Sequence, residues 1–232
     1  MTSIAHSLPE IGSASLGSPA PRESPTSVAL TVTALVATAA AYYLGARLGA
    51  AIRYPSSLHS VLWPPNAIVL AALLLVPIRR WWLCLAALLP AHLAVMPAEF
   101  PWLAILGIFV TNTGQGVLSA ALIRRLTRGR DTAEAYTITL IACGVFASPI
   151  LFSFADVSVL MQAGLVDDFW RAWNLRFLSN AASTIIIVPP ILAAARAGRR
   201  GGGRRCGAWW KASSLRSDSF CSPSSSCSRS RF

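Results

Sequence analysis

Six apolar stretches fill the first 198 residues, and arginine clusters follow every second one of them, on one side of a membrane. A membrane crossing needs about 20 apolar residues, and most of these stretches meet that length. Hydrophobic residues are 54% of the 232-residue chain and charged residues 12%, whereas a soluble domain carries about 25% charged residues. A chain so poor in charge cannot clothe itself in wettable side chains. Lipid must therefore solvate it, and in lipid every backbone polar group has to be paired internally. The predicted fold class is an all-α membrane protein, a polytopic bundle of about six transmembrane helices.

The charge that exists is strongly biased. The 20 Lys+Arg exceed the 9 Asp+Glu to give a formal net charge of +11. A basic balance is one signature of nucleic-acid binding. Here the arginines sit at segment ends, where they orient a membrane protein and meet anionic head groups. Nucleic acid is accordingly not an expected partner; the lipid bilayer is.

The expected spans run from about Val28 to Leu48, Leu58 to Ile78, Trp81 to Met96, Trp102 to Ile123, Tyr136 to Ala155 and Leu175 to Ala195. Asp156 falls in a polar loop with Asp167, Asp168 and Arg171, which leaves no charge deep in a span. With the N-terminus in the cytoplasm, Arg79, Arg80, the cluster from Arg124 to Arg130 and the cluster after Arg196 all lie inside. Six spans with both ends inside follow. Trp63, Trp81, Trp82, Trp102, Trp170 and Trp173 fall near span ends, as an aromatic belt requires.

Three domains are expected: a disordered N-terminal segment (1–25), a transmembrane domain (26–198) and a tail (199–232). The tail holds 10 Ser, 7 Arg and 3 Cys. It reads either as disorder or as a frame error. With Ser as UCN and Cys as UGC, a shift that starts each codon on the previous third base turns residues 219–232 largely apolar. On that reading the natural protein continues with further spans.

Several residues could carry function. Trp63-Pro64-Pro65-Asn66 opens the second span; two prolines fix φ and remove two donors, so the chain arrives through a rigid extended elbow. Asn112 and Gln115 sit mid-span, three residues apart and so on one helical face. Gly116 and Ala120 permit a close helix approach. Trp173, Arg176 and Asn180 precede Pro189 and Pro190, which remove donors inside a helix, as Pro149 does in the fifth span. Trp63, Pro64, Pro65, Asn66, Asn112, Gln115, Trp173, Arg176 and Asn180 form the ligand- or signal-sensing set. Pro149, Pro189 and Pro190 are the expected kinks. The structural alternative is that the prolines only start or bend helices and the amides only glue them together.

No cofactor is implied. His59 and His92 stand alone, and no cysteine has metal-type spacing. No phosphate loop, nucleophile elbow or zinc-protease motif is present, so no catalytic site is expected.

At Trp63-Pro64-Pro65-Asn66, Arg79-Arg80-Trp81, Gly107 through Asn112 with Arg124-Arg125-Leu126, and the Trp-rich approach to Ser179-Asn180 and Pro189, the chain resembles the MASE1 family of bacterial integral-membrane sensory domains. The resemblance covers roughly Val28 to Gly198. It departs from the family at Ser179-Asn180, where Gly-Asp is common, and in length, since about eight spans are usual. The resemblance implies an input module of the bacterial inner membrane that serves a cytoplasmic histidine kinase or diguanylate cyclase, fused or in trans, with a second copy of the chain as a further partner. The competing functional class is a small transporter or permease, and a third is a structural membrane subunit.

Overall fold

The structure is a computed structural model that describes residues 25–55, 57–129 and 132–214, with side-chain surroundings between 29 and 198. The expectations for most of 1–25 and for 215–232 lie outside the described residues. Seven helices follow in order: α1 (Pro25–Ala51), α2 (Pro64–Leu75), α3 (Trp81–Leu93), α4 (Trp102–Leu126), α5 (Ala133–Thr139), α6 (Ser148–Gln162) and α7 (Phe169–Ser214). A short 3-10 turn (Ile78–Arg80) leads into α3. The only pairing of β type among the described residues is an isolated antiparallel bridge, Arg53 with Ser60.

Four stretches are long and apolar enough to cross a membrane: Ala29–Ala51, Trp102–Leu126, Ala133–Gln162 and Phe169–Gly198. Their outward faces carry Leu30, Val36, Leu103, Val110, Leu151 and Ile186, all exposed in the isolated chain and suited to lipid. The chain is a multi-pass membrane protein.

The second and third apolar stretches differ from expectation. They form helices of 12 and 13 residues, about 18–20 Å long, short of a hydrocarbon layer near 30 Å. The reason is local. Trp63 is extended (φ −120°, ψ 79°), as a residue before proline tends to be. Pro64 and Pro65 then occupy the first helical positions, where a missing N–H costs nothing. Residues 52–63 form a folded-back loop instead, tied by Tyr54 N–H to His59 C=O (3.0 Å) and Val61 N–H to Ile52 C=O (3.0 Å). At the far end Val76 is again extended, ahead of Pro77.

The fifth stretch is longer than expected. Helix runs from Ala133 to Gln162 and passes through wide π turns at Leu140–Ala147, where Ser148 N–H reaches back five residues to Cys143 C=O. Pro149 accounts for the widening: it has no N–H to give, and its ring crowds the carbonyl four residues earlier. The sixth stretch starts at Phe169 rather than Leu175, and Pro189 and Pro190 lie within continuous helix.

Short α2 is the centre of the bundle, packed against α1, α4 and α7. Ala67, Val69, Leu70 and Leu73 are fully buried with Ala120 and Ile123 of α4 and Val188 of α7. Lipid supplies no hydrophobic force between helices, so close contact and hydrogen bonds must hold them. Gly116 shows the fit: a Cβ there would lie 2.5 Å from Val69 Cγ1 and 3.4 Å from the Leu70 nitrogen. The close helix approach expected at Gly116 and Ala120 is present, and the partner is α2.

The last carbonyls of α2 have no intrahelical donors, and α4 supplies one. Arg124 Nη2 donates to Leu73 (2.8 Å), Leu74 (3.0 Å) and Val76 (2.6 Å) carbonyls. Trp81 Nε1 donates to Leu73 and Val76 as well, and its ring lies 5.5 Å beneath the Arg124 guanidinium. A cation at a helix C-terminus also suits the helix dipole.

Candidate functional site

Four helices each turn a polar side chain to one point inside the bundle. Asn66 comes from the first turn of α2, Gln115 from α4, Ser153 from α6 and Asn180 from α7. The Asn66 amide donates to Gln115 Oε1 (3.0 Å) and to Asn180 Oδ1 (3.2 Å). The Asn180 amide donates to Gln115 Oε1 (3.1 Å) and to Ser153 Oγ (3.2 Å). All four side chains are buried. Inserting the Trp63-Pro64-Pro65 elbow at this level is what brings Asn66 to the centre.

A charged layer adjoins the amides. Arg176 of α7 and Asp156 of α6 form an ion pair, with Nε 2.9 Å from Oδ2. The Nε–H does not aim along that line, so the contact is charge against charge rather than a linear hydrogen bond. Arg176 Nη2 donates to Asn112 Oδ1 (2.8 Å), and Thr111 donates to Asp156 Oδ1 (2.7 Å). The guanidinium lies 5.0 Å from the Trp63 ring centre. Trp63 itself is anchored by its backbone N–H to Ser183 Oγ (2.7 Å). Asp156 is 2% and Arg176 7% exposed, so their charges have no bulk water to fall back on.

Six hydrogen bonds thus join side chains of α2, α4, α6 and α7. At ~0.6 kcal/mol each in a membrane protein they contribute about 4 kcal/mol. They also specify one arrangement, since each amide fits its neighbours in a single register.

The charged layer borders a cavity of about 50 Å³ lined by His59, Trp63, Asp156 and Arg176, with Met96 and Phe100 from the α3–α4 loop. A larger pocket of about 420 Å³ lies beside it, with His59, Asp167, Asp168 and Arg171 in its walls. Burial holds the His59 imidazole neutral, and the Arg176 and Arg53 charges add to it, so its pKa falls to about 4. Ser57 accepts from the His59 backbone N–H and faces His59 Nδ1, which leaves Nε2 without a partner.

A separate polar contact joins α1, α3 and α4. Tyr42 donates to His92 Nδ1 (3.0 Å), and His92 Nε2 lies 3.0 Å from the Ile105 carbonyl. Nδ1 therefore accepts and Nε2 carries the proton. His59 and His92 have different surroundings and are not brought together.

Of the expected sensing residues, Asn66, Gln115 and Asn180 share the amide cluster and Asn112 joins Arg176 in the charged layer beside it, with Trp63 over Arg176 and Pro64 and Pro65 starting α2. Trp173 stands apart. It stacks on Phe177 (5.8 Å, 10° between planes) and donates to Ile150 C=O (3.3 Å) on the α6–α7 flank.

Two expectations need correction. Asp156 is not in a loop but in α6, about 9 Å from its end by helical rise. The bundle therefore does hold buried charge, contrary to the reading that no charge lies deep in a span. Asp156, Thr111 and Ser153 are the network members the sequence reading missed. The signal for Asp156 was present: Val157, Val159, Leu160 and Met161 continue the apolar run beyond it.

The family model described as MASE1 matches residues 34–211, from within α1 into α7. Neither a curated protein nor a solved structure matches the chain.

Proposed function

We propose, from the premise that this chain belongs to the MASE1 family of membrane-associated sensory domains, that it receives a stimulus within the bacterial inner membrane and relays it to a cytoplasmic output domain. That domain is a histidine kinase or a diguanylate cyclase, carried on the same polypeptide or on a partner. The N-terminus and the arginine-rich helix ends face the cytoplasm, in accord with the positive-inside rule. The loop that carries His59 then faces outward.

The observation that carries this reading is the pair of adjoining polar clusters that tie α2, α4, α6 and α7 together, the charged one beside a small cavity. An input module needs two packings of one bundle and a ligand or membrane state that favours one of them. A network that fixes one register, together with a cavity at its edge, supplies such a device. Helix α7 contributes Arg176 and Asn180 and continues beyond the span, so it is the natural relay.

The test is to join the span region, through Gly198, to a histidine-kinase catalytic core and follow autophosphorylation in proteoliposomes. Asn180→Leu should change output several-fold while membrane insertion is unaltered. Unchanged output from a well-inserted variant would overturn the reading. The Asp156–Arg176 pair also gives transport a specific footing, because buried charge marks many ion paths. Ion or proton uptake by proteoliposomes of the chain alone would favour a small transporter; its absence, with altered kinase output, would favour sensing.

A further inference from the structure

At the opposite end of the bundle from the Asp156–Arg176 layer, a cavity of about 390 Å³ opens between α2, α4, α5 and α7. One side of it is apolar, formed by Leu74, Leu75, Ile123 and Leu192. The other side carries Arg124, Arg196, Thr127 and Tyr136. The Arg196 guanidinium lies 5.3 Å from the Tyr136 ring centre, a stacking that orients a cation. Among the described residues Arg196 makes no hydrogen bond or ion pair, and Arg124 commits only Nη2, to the carbonyls ending α2. No carboxylate lines the cavity. Two cations thus share one cavity with donors to spare and no internal anion between them.

We infer that this cavity binds an anionic phospholipid, with the head-group phosphate between Arg124 and Arg196 and an acyl chain against the leucine side. A guanidinium presents a fork of donors suited to phosphate oxygens. Basic pockets between helices at the cytoplasmic membrane surface are suited to acidic head groups. The apolar half decides for lipid over a soluble phosphate, which would leave those leucines unused. The position agrees: α2 ends at Leu75, α4 at Leu126, and the apolar part of α7 at Gly198, so the cavity sits where the helices leave the membrane.

The experiment is native mass spectrometry of the purified full chain offered equal phosphatidylglycerol and phosphatidylcholine. Phosphatidylglycerol should be retained selectively. Arg196→Gln should lower its retention about fivefold, as the loss of one arginine near an acidic lipid implies, and Arg125→Gln, an exposed charge one residue from Arg124, should not. If Arg196→Gln fails to stay monodisperse, Tyr136→Leu replaces it, removing the ring that orients Arg196 and lowering retention in the same direction. Equal retention of the two lipids would overturn the proposal, as would an Arg125→Gln loss as large as that of Arg196→Gln. Displacement of the lipid by glycerol phosphate alone would also overturn it, in favour of a site for a soluble anion.

Discussion

Asp156 Oδ2 lies 2.9 Å from Arg176 Nε across the seam between α6 and α7, and both side chains are shut off from water. Breaking a buried pair by removing one partner costs ~3–5 kcal/mol, because the other charge is left uncompensated, whereas replacing both can be close to neutral. Asp156→Asn should therefore destabilise the bundle strongly in detergent, and Asp156→Asn with Arg176→Leu should recover much of the loss. Equal melting temperatures for the single and double variants would show that the two charges are not coupled.

Gly116 of α4 packs directly against Val69 and the backbone of α2. A valine there would drive its Cβ into Val69. Overpacking of this kind costs ~1–3 kcal/mol. Ala121→Val, on an exposed face of the same helix, is the matched control and should be nearly silent. Thermal unfolding of the two variants measures the difference directly.

His59 makes stability depend on pH in a stated direction. The unfolded chain takes up a proton near pH 6.5 and the folded chain only at about 4. Folded stability is thus complete above 6.5 and falls as pH drops through the window between the two values. The total loss is about 3 kcal/mol, at 1.36 kcal/mol per pKa unit. His59→Gln should flatten this part of the profile. A wild-type melting curve that is level from pH 7 to pH 5 would remove His59 from the account.

Arg124 closes the C-terminus of α2 from a neighbouring helix. Arg124→Gln should cost ~1.5–3 kcal/mol, the range for a hydrogen bond made by a charged group. Arg125→Gln, on the exposed face beside it, should stay within ~0.5 kcal/mol. Hydrogen exchange at Leu73 to Val76 would locate the damage, and protection left intact there would mean that the cap is dispensable.

Much of this architecture could be read from the chain alone, and the failures have physical causes. The apolar runs and arginine clusters gave the helices, because lipid allows the backbone few other solutions. The shared face of Asn112 and Gln115 followed from a spacing of three. Asn180 and Asn66 could be marked as polar groups in need of partners, but not as partners of each other, because side chains 114 residues apart in sequence meet only through tertiary packing. Asp156 reads from the sequence as the end of a span because a lone carboxylate in an apolar run has no visible counter-charge. Its counter-charge, Arg176, lies 20 residues on and reaches it only when α6 and α7 pack together. Helix α2 starts later than its apolar surroundings suggest because Pro64 and the folded-back loop keep Leu58 to Trp63 out of it.

The wide turns at Leu140–Ala147 have a consequence for which way the acid points. Along an ordinary helix each residue advances about 100°, so Asp156 would lie about 160° around the axis from Leu140, almost diametrically opposite the core. The buried positions include Leu140, Gly144, Ser148, Ser153 and Asp156, spaced by four, four, five and three residues. The slower winding before Pro149 rotates the second half of the helix into phase with the first. Straightened to uniform pitch, with no side chain altered, the same sequence would present a bare carboxylate to the acyl chains and leave Arg176 facing an empty seat.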